Sequence, residues 1–167
     1  MKFRSLFESR TENLGVKIYQ EDLKRIFNEG ERNFHFKWLT DRNFVISINF
    51  SFGSNLILDT NVPNTRSDII FYGKLTESGE SGTEIKLSSR SKDFLAILFI
   101  GFPLLVLFFQ MILKMEILTF FVTFLFFPVV ILGLLNLIRG EENRLLKLFK
   151  ESLNNAEISM QKPSPGS

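Results

Sequence analysis

Residues 108–121 read FFQMILKMEILTFF, and they place Lys114 and Glu116 in the middle of an apolar run extending from Phe94 to Ile138. The position of these two charges decides the class of the protein. A single helix over 94–138 would be about 67 Å long, twice the thickness of a bilayer's hydrocarbon core. It would put both charges near the bilayer centre, where each costs several kcal/mol. Split at the charges, the run leaves 94–113 and 117–138, segments of 20 and 22 residues with no charged side chain. Each makes a helix of about 30 Å, enough to cross the core once. The sequence therefore predicts two antiparallel transmembrane helices joined by a very short membrane turn, Lys114-Met115-Glu116, whose charges reach water at its tip.

The apolar content supports this division. Fifteen of the first 20 residues and 17 of the following 22 are Leu, Ile, Phe or Val. Each contributes roughly −0.3 to −0.6 kcal/mol near a membrane centre, so each segment gains several kcal/mol on insertion. Gly101, Pro103 and Gln110 offset part of that gain in the first. A soluble domain of 167 residues could not cover two helices that are apolar all round. The start, MKFRSLFESR, has no apolar core and does not read as a cleaved signal peptide; the first membrane helix would itself direct insertion. Lys86, Arg90 and Lys92 precede the first helix, and Arg139, Arg144, Lys147 and Lys150 follow the second, while the turn has only Lys114. The positive-inside rule then puts both termini in the cytoplasm of a two-pass protein of the cell inner (plasma) membrane. The chain has no cysteine, which fits a cytoplasmic domain and excludes disulfides and thiolate metal sites.

Outside the membrane run, the periodicity changes twice. Residues 19–29, YQEDLKRIFNE, read as a short helix with Leu23, Ile26 and Phe27 as its apolar stripe and Gly30 as its stop. Strand alternation follows: Phe34, Phe36 and Trp38; then, after the turn Thr40-Asp41-Arg42-Asn43, Phe44, Ile46, Ile48 and Phe50. A third strand is expected near Leu56–Leu58. Ile69, Phe71, Gly73 and Leu75 form another, and Thr83, Ile85 and Leu87 the last, with a turn at 76–83 between them. Short connections favour an antiparallel meander. Residues 141–156, EENRLLKLFKESLNNA, make an amphipathic helix with Leu145, Leu146, Phe149 and Leu153 on one stripe. The apolar sheet face needs a cover, and both the 19–29 helix and this one are candidates. The C-terminal helix could instead lie on the lipid surface or bind a partner. Folding back on the sheet is favoured, because the flanks of a helical hairpin emerge side by side, and charges of both signs weaken the lipid-surface reading.

The fold class read from the sequence is thus membrane α+β: an antiparallel β-meander domain with a two-helix transmembrane hairpin and a C-terminal amphipathic helix. Its segments are a cytoplasmic helix-plus-sheet domain over 1–93, the hairpin over 94–138, the amphipathic helix over 139–160, and a disordered tail over 161–167.

Little in the chain resembles a catalytic set. His35 is the only histidine, on a strand beside apolar neighbours, where a structural role is the ordinary one; without a second histidine or a cysteine a transition-metal site is not expected. Glu21/Asp22 and Glu141/Glu142 sit at expected helix starts, where negative charge complements the helix dipole. Gly79 and Gly82 lie in a turn with no following helix, so they match no phosphate loop or dinucleotide fingerprint, and no cofactor is implied. Residues 1–93 hold 14 basic and 13 acidic side chains, too balanced for nucleic acid. The membrane run has no buried acid or base of the kind an ion-coupled transporter would show. Gln110 and Thr119 stand at similar depth on either side of the turn, as do Pro103 and Pro128. Helix packing within the hairpin is the ordinary role for all four.

The order of features resembles a broad group of uncharacterised small bacterial two-helix membrane proteins with a β-rich soluble domain. Asn61-Val-Pro63, Phe71-Tyr-Gly-Lys-Leu75, Gly82-Thr-Glu-Ile85 and Glu141-Glu-Asn-Arg-Leu-Leu-Lys-Leu-Phe149 carry the resemblance, over residues 34 to 153. The group implies architecture and no activity. The functional expectation is an integral membrane protein, not an enzyme, whose cytoplasmic β domain binds a protein, peptide or lipid headgroup or serves as an accessory subunit. The lipid bilayer is its first partner, with a protein partner or a second copy as further ones. An oligomeric channel or transporter subunit is the alternative, suggested by Pro103/Pro128 and by Gln110, Thr119 and Thr123. An interfacial lipid-acting enzyme is the third reading.

Overall fold

The structure is a computed structural model that describes residues 9–29, 33–48, 69–78, 82–90, 92–113 and 122–161. Among the described residues it is an α+β mix of five strands and three α-helices. In chain order these are β1 (Thr11–Val16), α1 (Gln20–Glu29), β2 (Phe34–Trp38), β3 (Asn43–Ile48), β4 (Ile70–Ser78), β5 (Gly82–Ser89), α2 (Asp93–Leu113) and α3 (Phe127–Gln161), with a π-helical turn at Val122–Phe126 just before α3. The described chain divides into two compact units. One holds 10–90 together with 141–161; the other holds 92–140.

The first unit is built on a five-stranded antiparallel sheet in the order β1-β5-β4-β3-β2. β2 to β5 form a meander, and β1 adds itself beside β5, from Thr11↔Ser88 to Val16↔Thr83. The sequence pattern gives no strand at 11–16: TENLGV offers only Leu14 and Val16 as an apolar alternation, and Gly15 weakens it. The missing drive comes from β5, whose free edge supplies six paired residues. The strand expected near Leu56–Leu58 lies outside the described residues, as do the stop at Gly30 and the tail beyond Gln161.

Cross-strand partners share a sheet face, so register sorts the side chains. Phe36 faces Ile46, which faces Phe71; Trp38 faces Phe44, which faces Gly73; Gly73 faces Leu87, and Leu75 faces Ile85, which faces Leu14. This is the covered face. Ile46, Phe71, Leu75, Ile85 and Leu87 on it are at most 1 % exposed. Two helices cover it. α1 starts with Glu21 and Asp22 in its first turn, where carboxylates suit the positive end of the helix dipole, and it buries Leu23 and Phe27 at helical spacing. The 141–161 part of α3 buries Leu145, Leu146, Phe149, Leu153 and Ala156 along one stripe.

Their meeting point is an aromatic cluster. Phe149 lies 5.6 Å from Phe27, 5.8 Å from Phe34 and 5.9 Å from Phe44, between ring centroids. Phe36 stacks on Phe27 at 4.8 Å and on Phe44 at 5.0 Å, and Trp38 meets Phe36 and Phe44 edge-on. Each buried aromatic contributes about 1.5–3 kcal/mol of burial, and favourable ring geometries add to that. The β2–β3 connection is fixed locally: the Thr40 hydroxyl accepts from the Asn43 backbone N–H at 3.1 Å and from Asn43 Nδ2 at 2.9 Å. A hydroxyl that bonds its own turn in this way sets the register of the hairpin.

In the second unit α2 and the first part of α3 pack in opposite senses. Leu95, near the start of α2, shares a buried cluster with Ile131 and Leu135, while Phe102 meets Phe127 at 4.4 Å. The π-helical turn ends two residues before Pro128. Proline has no N–H for the carbonyl four residues back, and its ring collides with that carbonyl in a regular helix. A wider turn relieves both problems. α2, by contrast, continues through Pro103.

One expectation about helix boundaries is corrected. The sequence predicts a helix ending at 138 and a separate one from 139, but α3 runs unbroken from Phe127 to Gln161. Gly140 is the only break signal there, and one glycine costs only about 1 kcal/mol relative to alanine. Apolar and amphipathic patterns are therefore written on one continuous helix. By length and composition, Phe124–Met160 can cross a membrane: its most apolar 18-residue window has a hydropathy of 1.7 and is 11 % buried, and it is the one such helix among the described residues. The described apolar stretch of α2, Leu95–Phe109, is shorter.

Candidate functional site

The second face of the sheet alternates with the covered one and has a different chemistry. One row across it reads Asn43, Lys74, Lys86 and Asn13; the adjacent row reads Lys37, Val45, Tyr72, Ser88 and Thr11. Lys74 and Lys86 are exposed and directly opposite each other, and Lys37 is half-buried. Among the described residues none of the three lysines makes an ion pair. Glu84, one row further along and opposite Thr76, is exposed and pairs with neither. Like charges directly across a strand pair destabilise it, so Lys74 and Lys86 cost the sheet stability while they stand alone.

Leu39, Asn43, Tyr72, Lys74, Lys86 and Ser88 line a depression of about 400 Å³ on this face. The ammonium groups of Lys74 and Lys86 and the hydroxyls of Tyr72 and Ser88 can donate hydrogen bonds, and such donors suit an anion with several acceptor oxygens; the Asn43 amide already donates to Thr40. A second depression, of about 540 Å³, lies between α1 and the β2–β3 turn. Its polar groups are already engaged. Lys24 pairs with Asp41 at 3.5 Å, Gln20 Nε2 donates to the Asp41 carbonyl at 3.3 Å, and Trp38 Nε1 donates to Asn28 Oδ1 at 3.1 Å. The lysine-bearing face is the stronger candidate because its charges are not.

Apart from His35, the residues singled out in the sequence fall elsewhere. His35 lies on this second face opposite Ser47; His35 Nε2 and Ser47 Oγ are shut off from solvent and have no hydrogen-bond partner among the described residues. Glu21 and Asp22 open α1, with Asp22 3.1 Å from Arg25. Glu141 and Glu142 do not open a helix, since α3 continues through them; Glu141 pairs with Arg144 at 3.5 Å. Gly82 starts β5, and Gly79 lies outside the described residues. Pro103 is inside α2 and Pro128 is in the first turn of α3. Gln110 is in the last turn of α2, and Lys114, Met115, Glu116 and Thr119 lie outside the described residues. Lys37, Tyr72, Lys74 and Lys86 were not predicted as a group. Their signal is the polar half of each strand's alternation, combined with a register that sequence does not supply.

A polar clasp joins β1 to α3 on the opposite, covered face. Arg10 Nη2 donates to Glu12 Oε1 at 2.7 Å and Lys150 Nζ donates to Glu12 Oε2 at 3.1 Å. Arg10 Nη1 also donates to Asn143 Oδ1, and the Lys17 backbone N–H donates to Glu157 at 2.8 Å. The hydrogen bond from Arg10, followed by that from Lys150, holds the Glu12 carboxyl below its ordinary pKa. A carboxylate whose folded pKa lies below its unfolded one stabilises the fold above the unfolded value, near pH 4.3 for glutamate. That contribution disappears as pH falls through the folded value. Thermal unfolding of the full chain in detergent, followed at Trp38, should therefore lose more stability from pH 6 to pH 3 in the wild type than in Glu12→Gln. Parallel acid limbs in the two proteins would remove Glu12 from this role.

Compared with family models, curated proteins and solved structures, the chain matches none.

Proposed function

We propose that this chain is a two-pass integral membrane protein of the cell inner membrane, with both termini cytoplasmic and with its sheet domain acting as a non-enzymatic binding or accessory module. The observation that carries the membrane reading is exposed apolar surface. In the 92–140 unit, Ile97 is 67 % exposed, Ile100 60 %, Phe108 61 %, Phe126 65 % and Val129 65 %. A core helix of a soluble protein would bury such side chains; exposed apolar side chains in this number support a lipid environment. The opposed packing of α2 and α3 fits a hairpin whose turn is Lys114-Met115-Glu116. The apolar surface alone does not favour an oligomeric channel over a single hairpin.

The absence of native cysteine makes a direct test clean. The chain should stay with the membrane through an alkaline wash and leave it only with detergent. In Lys114→Cys, a membrane-impermeant maleimide should label intact cells. In Ser152→Cys, on the sheet-domain part of α3, it should label only after the membrane is opened. Labelling in the reverse order would invert the orientation, and release by alkali would end the membrane reading.

A further inference from the structure

We infer that the outer edge of β1 pairs with the same edge of a second copy of this chain, joining two sheets through an antiparallel contact centred on Asn13. The basis is the direction of the backbone groups. The Ser89 N–H donates to the Arg10 carbonyl at 2.7 Å, in the register of Thr11↔Ser88. In an antiparallel ladder, residues that exchange such bonds alternate with residues that point the other way. Glu12, Leu14 and Val16 therefore turn their N–H and C=O groups toward β5, while Thr11, Asn13 and Gly15 turn theirs away from the sheet. Lys17 follows the same alternation: its outward N–H donates to the Glu157 carboxylate of α3 at 2.8 Å. Thr11, Asn13 and Gly15 are exposed, and their outward backbone groups have no partner among the described residues. An open edge of this kind is a template for another strand. Natural edges are guarded by proline, lysine or a bulge, and 11–15 has none of these.

The pattern of the edge names its occupant. The open positions 11, 13 and 15 are symmetric about Asn13. A twofold axis there sets Thr11 against Gly15 of the second copy and Asn13 against its own counterpart. Each facing pair exchanges two hydrogen bonds, about six in all. A surface that matches itself in this way closes into a dimer. No like charges meet on the second face, and the Asn13 amides can both donate and accept across the axis. A Cβ at Gly15 would meet nothing within 4 Å, so the threonine opposite has room. On the covered face Glu12 comes beside Leu14 of the second copy, and its charge is already met by Arg10 and Lys150. α3 leaves the edge accessible: it reaches Glu12 and Lys17 through the long side chains of Lys150 and Glu157, while its Phe149 stands 5.9 Å from Phe44 on β3, well inside the edge. A foreign peptide is disfavoured. Strand addition selects a peptide through pockets for its alternate side chains, and the small uncharged residues at 11, 13 and 15 form none.

A contact of one short strand per copy belongs to the small, weak class of interfaces, so disulfide trapping is the test. It uses the full chain, both in isolated membranes and purified in detergent, and the absence of native cysteine leaves it clean. Asn13→Cys should crosslink to itself under mild oxidation, because Cα atoms of a hydrogen-bonded pair are about 5.5 Å apart, within disulfide reach. Thr11→Cys alone and Gly15→Cys alone should not, since like positions are offset by four residues, about 13 Å along the strand. A mixture of those two variants should crosslink. Lys74→Cys, in the middle of the sheet, should not. Asn13→Pro removes an outward N–H from each copy and none that β5 uses, so in that background the mixed yield should fall roughly tenfold or more. Unfolding read at Trp38 shows whether Asn13→Pro leaves the sheet intact; where it does not, the single and mixed cysteine pattern decides alone. No crosslink in Asn13→Cys, or equal yields from Thr11→Cys, Gly15→Cys and their mixture, overturns the inference. So does a maleimide that labels Asn13→Cys in the purified chain but not in membranes, with no dimer trapped in either, which would assign the edge to a different protein.

Discussion

Phe149→Ala should remove about 3–5 kcal/mol of stability from the sheet unit, a large share of the 5–15 kcal/mol typical of a folded domain. Phe149 is fully buried and touches rings from α1, β2 and β3: Phe27, Phe34 and Phe44. Its removal leaves a cavity that three separate elements would have to collapse to fill, and β2 and β3 are held by their ladder. It also detaches the one ring through which 141–161 of α3 grips both the sheet and α1. Phe149→Leu should cost less, because it retains most of the apolar volume. The protein has a single tryptophan, and Trp38 meets Phe44, a direct neighbour of Phe149, at 5.5 Å. Denaturant unfolding of the full chain in detergent, read at Trp38, should register the loss. Membrane retention should not change, since the apolar part of α3 is untouched. A loss below about 1 kcal/mol would mean that 141–161 is not a structural cover of the sheet.

The pattern of what the sequence reveals follows from the range of the interactions. Phe34, Phe36 and Trp38, then Phe44, Ile46 and Ile48, alternate in a way that depends on neighbours two residues apart, and β2 and β3 were legible from it. β4 and β5 were equally legible from Phe71-Gly73-Leu75 and Ile85-Leu87. β1 was not, since Thr11–Val16 becomes a strand only because β5, some seventy residues later, offers an edge. The alternation of β3 does not show that both of its sides are covered: Val45 and Ser47, on the second face, are at most 1 % exposed. The continuity of α3 was hidden by the change from apolar to amphipathic character at Arg139 and Gly140, which alters what the helix packs against without breaking its hydrogen bonds. The candidate site was hidden by arithmetic. A nearly even charge count over 1–93 conceals segregation: Glu21 and Asp22 lie on α1, Glu77 pairs with Arg42 and Glu12 with Arg10, while Lys37, Lys74 and Lys86 share one sheet face. Only strand order brings those lysines together.

Gly73→Ala should destabilise the sheet by about 1–3 kcal/mol, although alanine in a strand is ordinarily better than glycine by roughly 0.5–1 kcal/mol. The reason is the pair Phe44↔Gly73. A Cβ at Gly73 would come closer than 3.0 Å to three carbons of the Phe44 ring. The glycine is thus the floor on which that ring lies. The ring has nowhere to retreat: Phe36 stacks on it at 5.0 Å, Trp38 closes one edge at 5.5 Å, and Phe149 stands at 5.9 Å. Phe44→Ala alone should cost about 3–5 kcal/mol through lost burial and a cavity. The two changes in one chain should not add. With the phenyl ring gone, a methyl at 73 meets no obstacle and fills part of the hole, so Gly73→Ala should turn from harmful to neutral or stabilising by up to about 1 kcal/mol. The coupling energy of the cycle should then be about 1–3 kcal/mol. Should Phe44→Ala leave too little folded protein to measure, Phe44→Leu gives the same sign reversal with a smaller cavity. A cost for Gly73→Ala that is the same with and without the ring would show that backbone freedom, rather than the seat of Phe44, is what position 73 requires.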